Sequence, residues 1–170
     1  MLLQEALSAA ITYEHRVRDH YADCAQKATD AKGQRIFAIM AREEQGHVEY
    51  LESRMAEWKA TGEVKAAELT SILPSPGWLE QEARKLTQGA GKASQVLPEM
   101  EFLKEALELE RRTSAFYRQL VGALDPKYRP LFERFLEIEE GHVAIVEAEL
   151  DAVTGLGFWF GMKEFDLEKG

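Results

Sequence analysis

The chain has 170 residues, 45% of them apolar and 30% charged, with a formal net charge of -9. That length allows one domain with a real core and no staples, and the acidic balance, without any Lys/Arg run, excludes a nucleic-acid face. The single cysteine, Cys24, leaves no intramolecular disulfide, redox pair or thiolate metal site, and no apolar run approaches the roughly 20 residues of a membrane helix. The opening stretch MLLQEALSAAITYEH carries no basic leader, so a cytoplasmic protein without membrane or nucleic-acid partners is expected.

In chain order, residues 2–29 place Leu3, Leu7, Ala10, Val17, Tyr21, Cys24 and Ala28 at steps of three and four, the period of an amphipathic helix. A second helix is expected from Ala31 to Ala60 through Phe37, Met40, Leu51, Met55 and Trp58, ending at Thr61-Gly62. A third starts near Pro98 and passes through Leu103, Ala106, Tyr117, Leu120 and Leu124. Asp125-Pro126 opens a fourth, which runs through Phe132, Phe135, Val146 and Val153 to Gly155. Between the second and third lies a stretch with Pro74, Pro76, Gly77, Gly89 and Gly91 and room for a short helix from Trp78 to Leu86. Short turns make antiparallel hairpins, and a long link lets the second hairpin begin at the opposite end of the bundle. The fold expected is therefore an all-α four-helix bundle over residues 1–155, made of two antiparallel hairpins joined by a crossover at about 61–97. A C-terminal extension follows at 156–170, where Phe158, Trp159, Phe160 and Phe165 call for burial against the bundle or a second subunit.

Each apolar seam is interrupted by ionisable residues. Glu14 falls between Ala10 and Val17, Glu44 and His47 between Met40 and Leu51, Glu110 between Ala106 and Tyr117, and Glu139 and His142 between Phe135 and Val146. The stretches REEQGHVEYL and IEEGHVAIVE repeat one Glu-x-x-His motif, including the Gly before the His. The offsets from Glu14 to Tyr21 and from Glu110 to Tyr117 are equal, as are those from Phe37 to Glu44 and from Phe132 to Glu139, so the chain reads as an internal duplication. Antiparallel pairing brings all six ionisable side chains to mid-bundle height. Four ionised carboxylates in an apolar core cost several kcal/mol each unless something positive joins them. Two divalent cations cancel the four charges, each taking one imidazole and sharing bridging carboxylates. The Glu-x-x-His spacing aims both side chains of a motif at one ion. Oxygen and nitrogen ligands without thiolate suit iron or manganese. The competing expectation is a metal-free bundle whose core polar groups pair with one another and fix register.

With these residues the chain resembles the rubrerythrin-like branch of the ferritin-like di-iron carboxylate proteins, over about residues 2–60 and 98–155. The resemblance implies a ferritin-like fold with Glu14, Glu44, His47, Glu110, Glu139 and His142 as ligands of two iron ions, manganese or zinc being possible substitutes. It implies that Tyr21 and Tyr117 hydrogen-bond and orient the carboxylates. It further implies an oxidoreductase that reduces hydrogen peroxide or O2, and a homodimer. Two departures stand out: Thr113 occupies the place, one turn beyond Glu110, where rubrerythrins carry an additional carboxylate, and the two Cys pairs of a rubredoxin domain are absent, which calls for an external electron-transfer protein. The same ligands would equally serve a ferroxidase that oxidises Fe(II) with O2, and a third expectation is a partner-binding bundle in which metal is incidental.

Other titratable residues read as bystanders. His15 and His20 lie off the Glu14 seam, and Cys24 reads as a small buried thiol. Glu43, Glu137 and Glu140 point a quarter turn or more from the ligands, as expected of a solvated face, whereas Glu149 lies on the seam beyond His142 and is the one further carboxylate with a claim on the site.

Overall fold

In a computed structural model, residues 1–65, 67–73 and 97–155 are described, and among them every regular element is a helix. These are α1 (Leu3–Lys27), α2 (Ala31–Thr61), α3 (Leu97–Ala123) and α4 (Arg129–Gly155). Together they form a four-helix bundle in which α1 packs on α2, α3 on α4, and α1 on α3.

Local chemistry sets the helix ends. Asp30 caps α2, its carboxylate accepting from the backbone N–H groups of Lys32 (2.9 Å) and Gly33 (3.0 Å). At the other end Gly62, with φ 73°, takes the left-handed conformation and donates to Trp58 O, closing the last turn. Pro98 sits in the first turn of α3, where no intrahelical donor is needed. Asp125-Pro126 does not open α4 directly. Asp125 Oδ1 accepts from Lys127 N and its carbonyl accepts from Tyr128 N, so these groups close a separate turn before the helix begins at Arg129.

Helix direction follows from the pairings. Tyr21 on α1 reaches Glu110 on α3, and Tyr117 on α3 reaches Glu14 on α1, so these two helices run antiparallel. The start of α3 lies at the α1–α2 turn, where Glu99 Oε1 accepts from Thr29 N (2.5 Å), Thr29 Oγ1 (3.0 Å) and Asp30 N (2.9 Å). At the other end Lys127, in the α3–α4 turn, pairs with Glu63 just past α2. Gly62 and Leu97 therefore lie at opposite ends of the bundle, and the described residues that follow α2 run back along it. Tyr50 Oη donates to Ala67 O, Arg134 Nε on α4 donates to Leu69 O, and Leu69 is buried. The short helix expected at 78–86 and the aromatic tail at 156–170 lie outside the described residues.

The core is split in two. One apolar cluster gathers Val17, Tyr21, Cys24, Phe37, Met40, Leu103, Ala106, Val146 and Val153. The other gathers Leu3, Leu7, Ala10, Leu51, Tyr117, Leu120, Phe132 and Phe135. Each large side chain buried there stabilises the fold by about 1.5–3 kcal/mol, and the two clusters clamp a polar band lying between them. The halves of the chain match in this packing: Tyr21 and Phe37 stack at 6.4 Å with planes at 30°, and Tyr117 and Phe132 at 6.3 Å and 30°.

Candidate metal centre

The polar band holds Glu14, Glu44, His47, Glu110, Glu139 and His142, all at most 1% exposed. Their positions follow from helix periodicity, because each replaces an apolar residue on its helix's inward seam. The imidazole Nδ1 of His47 lies 3.1 Å from Glu14 Oε2, 3.1 Å from Glu44 Oε2 and 3.4 Å from Glu139 Oε1. That of His142 lies 2.9 Å from Glu44 Oε1, 3.6 Å from Glu139 Oε1 and 3.7 Å from Glu110 Oε2. Three donor sets result among the described residues: Glu14–Glu44–His47–Glu139 and Glu44–Glu110–Glu139–His142, each with one histidine and with Glu44 and Glu139 in common, and a smaller one, Glu43–His47–His142. The two rings lie parallel, their planes 3° apart and their centroids 5.3 Å apart.

The four carboxylates divide into two kinds. Tyr21 Oη donates to Glu110 Oε1 at 2.5 Å and Tyr117 Oη donates to Glu14 Oε1, which leaves the second oxygen of each facing the histidines. Glu44 and Glu139 have both oxygens without a hydrogen-bond partner, and Glu110 Oε2, His142 Nδ1 and His47 Nε2 are likewise unpartnered. Native interiors rarely leave buried polar atoms unpaired, and such a concentration at one spot calls for a missing partner. Donors about 2.1 Å from one ion stand about 3.0–3.4 Å apart in octahedral or tetrahedral geometry, and most of the separations above fall in or near that range. The residues therefore fit a pair of divalent cations, with Glu44 and Glu139 able to bridge and Glu14 and Glu110 able to bind one ion each.

Protons carry part of this compensation in the metal-free chain. Burial pushes Glu14 up to about 7 despite His47, and burial together with the charges of Glu14 and Glu44 holds Glu139 well above the usual carboxylate range. Burial works against a charged imidazole, yet the surrounding carboxylates, Glu44 foremost, raise both histidines well above their ordinary value. For Glu44, burial is outweighed by the two histidines and the group is lowered. Burial and the neighbouring carboxylates keep the Tyr21 and Tyr117 hydroxyls protonated, as donors must be.

Glu43 departs from its expected place. It is 3% exposed rather than solvated, because the residues after α2 fold back over that flank. Ser71 Oγ donates to Glu43 Oε1 at 2.5 Å and Ile72 N to Oε2 at 2.8 Å. The other face of Oε1 meets His142 Nε2 at 3.4 Å and His47 Nε2 at 3.5 Å. Seam periodicity has no term for a covering loop. A usable signal did exist in the duplication, since the position matching Glu43 is Ile138, an apolar residue where a solvated face would carry a polar one.

The remaining candidates lie elsewhere. His20 Nε2 contacts Phe102 O (3.2 Å) and Cys24 Sγ (3.4 Å), and His15 pairs with Glu52 on the surface. Burial pushes the Cys24 thiol up to about 12, which makes it inert. Glu137 and Glu140 are exposed, Glu149 is buried but outside the converging donor sets, and Thr113 turns its hydroxyl back to Leu109 O. Comparison with protein-family models, curated proteins and solved structures finds no match. The reading of the site thus stands on its geometry. Among the described residues no helix is long and apolar enough to cross a membrane.

Proposed function

We propose that this chain is a non-haem di-iron oxidoreductase of the rubrerythrin-like, ferritin-like type, which reduces hydrogen peroxide, or O2, with electrons from an external donor protein. The observation that carries the proposal is the convergence of four buried glutamates and two buried histidines into two donor sets that share Glu44 and Glu139. Oxygen and nitrogen donors without thiolate select iron or manganese over soft metals, with zinc as a substitute. A bound pair of iron ions supplies two electrons, one from each Fe(II), which with two protons reduce one hydrogen peroxide to two waters.

The chain's own groups do the rest. Glu44 and Glu139 would be the carboxylates common to both ions, with His47 and Glu14 completing one donor set and His142 and Glu110 the other. Four protein donors per ion are fewer than an octahedral ion takes, which leaves room for the oxidant. Tyr21 and Tyr117 fix the rotation of Glu110 and Glu14 by holding one oxygen of each. The apolar clusters on either side exclude water and raise the strength of every charge interaction between them. The choice of peroxide, the external donor and a homodimeric state rest on the rubrerythrin-like motifs.

The test is to load anaerobic metal-free protein with two equivalents of Fe(II) and follow oxidation by absorbance after mixing with equimolar hydrogen peroxide or O2. Faster oxidation by peroxide supports the peroxidase. Faster oxidation by O2 assigns the centre to ferroxidase chemistry instead. Glu44→Ala and His142→Ala should each abolish metal-dependent turnover, and full activity in both would sink the assignment.

A further inference from the structure

The duplication of the site breaks at one place, and that place is where the crossover lands. Both histidines turn Nδ1 toward the shared carboxylates and Nε2 toward a single oxygen on the other side, Glu43 Oε1, which makes a hydrogen bond with His142 Nε2 at 3.4 Å and lies 3.5 Å from His47 Nε2, an atom with no hydrogen-bond partner of its own. A symmetric duplication would provide one carboxylate per ring. Ile138 fills the matching position in the second half and packs in the apolar core, so Glu43 stands alone. The crossover is likewise present once per chain, and its Ser71 and Ile72 grip the two oxygens of Glu43 from outside the bundle. Ser71 is itself fixed by the backbone of Leu73, which donates to its hydroxyl at 3.1 Å. Tyr50 and Arg134 pin the preceding residues at Ala67 O and Leu69 O.

We propose that Glu43 is the positioning residue for both histidines at once, and that the crossover, through Ser71 and Ile72, is a working part of the metal centre rather than a connector. The proposal rests on the dinuclear reading above. An ionised carboxylate only accepts hydrogen bonds and has lone pairs enough for four donors. Ser71 O–H takes one lone pair of Oε1 and Ile72 N–H one of Oε2, so the remaining lone pair of Oε1 is shared between the two rings. A ring that donates from Nε2 carries its proton there, and its Nδ1 lone pair is then free for a metal. Glu43 thereby sets the tautomer and rotation of two ligands, one for each ion. Gln in its place keeps the volume but offers an N–H, which must oppose either the rings or the crossover's donors.

The test is a Co(II) titration of the full-length metal-free protein, read by the visible ligand-field bands and by calorimetry, for wild type, Glu43→Gln, Ser71→Ala and Ser71→Thr, with helix content checked for each. Wild type should take up two ions. Glu43→Gln should still take up two, each bound about 10- to 100-fold more weakly, with shifted bands. Ser71→Ala should weaken both steps in the same direction by less, and Ser71→Thr, which keeps the hydroxyl, should restore them. Wild-type affinity and bands in a folded Glu43→Gln overturn the proposal. Weakening of only one step overturns the shared role, and loss of a third ion would make Glu43 a ligand, using the two Nε2 atoms beside it. If Glu43→Gln does not fold, unchanged binding in Ser71→Ala overturns it. A wild type that binds no metal removes the centre itself and is distinguishable from all of these.

Discussion

Tyr21 and Tyr117 are chemically symmetric, since each crosses from its own helix to the carboxylate of the other, and each is fully buried. Replacing either with Phe preserves the ring packing and strips one buried carboxylate oxygen of its donor. In urea unfolding of the metal-free protein, each variant should lose about 1–3 kcal/mol, and the two losses should be similar. Losses below about 0.5 kcal/mol in both would mean that the hydroxyls do not serve these carboxylates. The six ligand candidates were legible from sequence because each is an ionisable residue in an otherwise apolar seam, a local contradiction that periodicity exposes. Glu43 was not legible from its seam, because its burial comes from Ser71 and Ile72, residues that no helical period connects to it; only its match to Ile138 in the duplication marked it.

The same contrast holds for whole helices. All four could be read from spacing and from Gly62 and Pro98, and the errors are at ends, as with Asp125-Pro126, where a good capping residue closes a separate turn. Both motif helices carry a glycine immediately before the histidine, Gly46 and Gly141, and a Cβ built on either meets nothing within 4 Å among the described residues. Glycine inside a helix costs roughly 0.5–1 kcal/mol relative to alanine. Gly46→Ala and Gly141→Ala should therefore each raise stability by about that amount in chemical denaturation without altering metal uptake. A destabilisation would reveal a close neighbour at that face of the helix.

For the molecule as a whole, the polar band makes stability depend on pH and metal together. Glu14, raised from 4.5 to about 7, and Glu139, also raised, bind more protons folded than unfolded, as do the two histidines above their ordinary 6.5. By linkage the metal-free protein loses stability as pH rises from about 4.5 through 7 and beyond. Glu43 and Glu44 are lowered, so their contribution is lost only as pH falls below about 4.5 and does not offset this trend near neutrality. Metal binding must displace the held protons and so strengthens with pH. The rise in Tm on adding Zn(II) should grow from pH 5.5 to 7.5, and a rise that is flat with pH would show that protons and metal do not compete for these groups. The topology was legible to the extent that a long link implies a crossover. That its first residues complete the histidine surroundings depends on where a non-helical segment lies, which no repeat in the sequence encodes.

The most direct measurement is the equilibrium stoichiometry of Fe(II) bound per chain under anaerobic conditions, for wild type and for Glu44→Ala. A shared pair of bridging carboxylates requires two ions per chain in the wild type and weakened binding of both when Glu44 is removed. A wild type that saturates at one ion or none, or a Glu44→Ala variant that keeps both ions at full affinity, would contradict a dinuclear centre in this bundle.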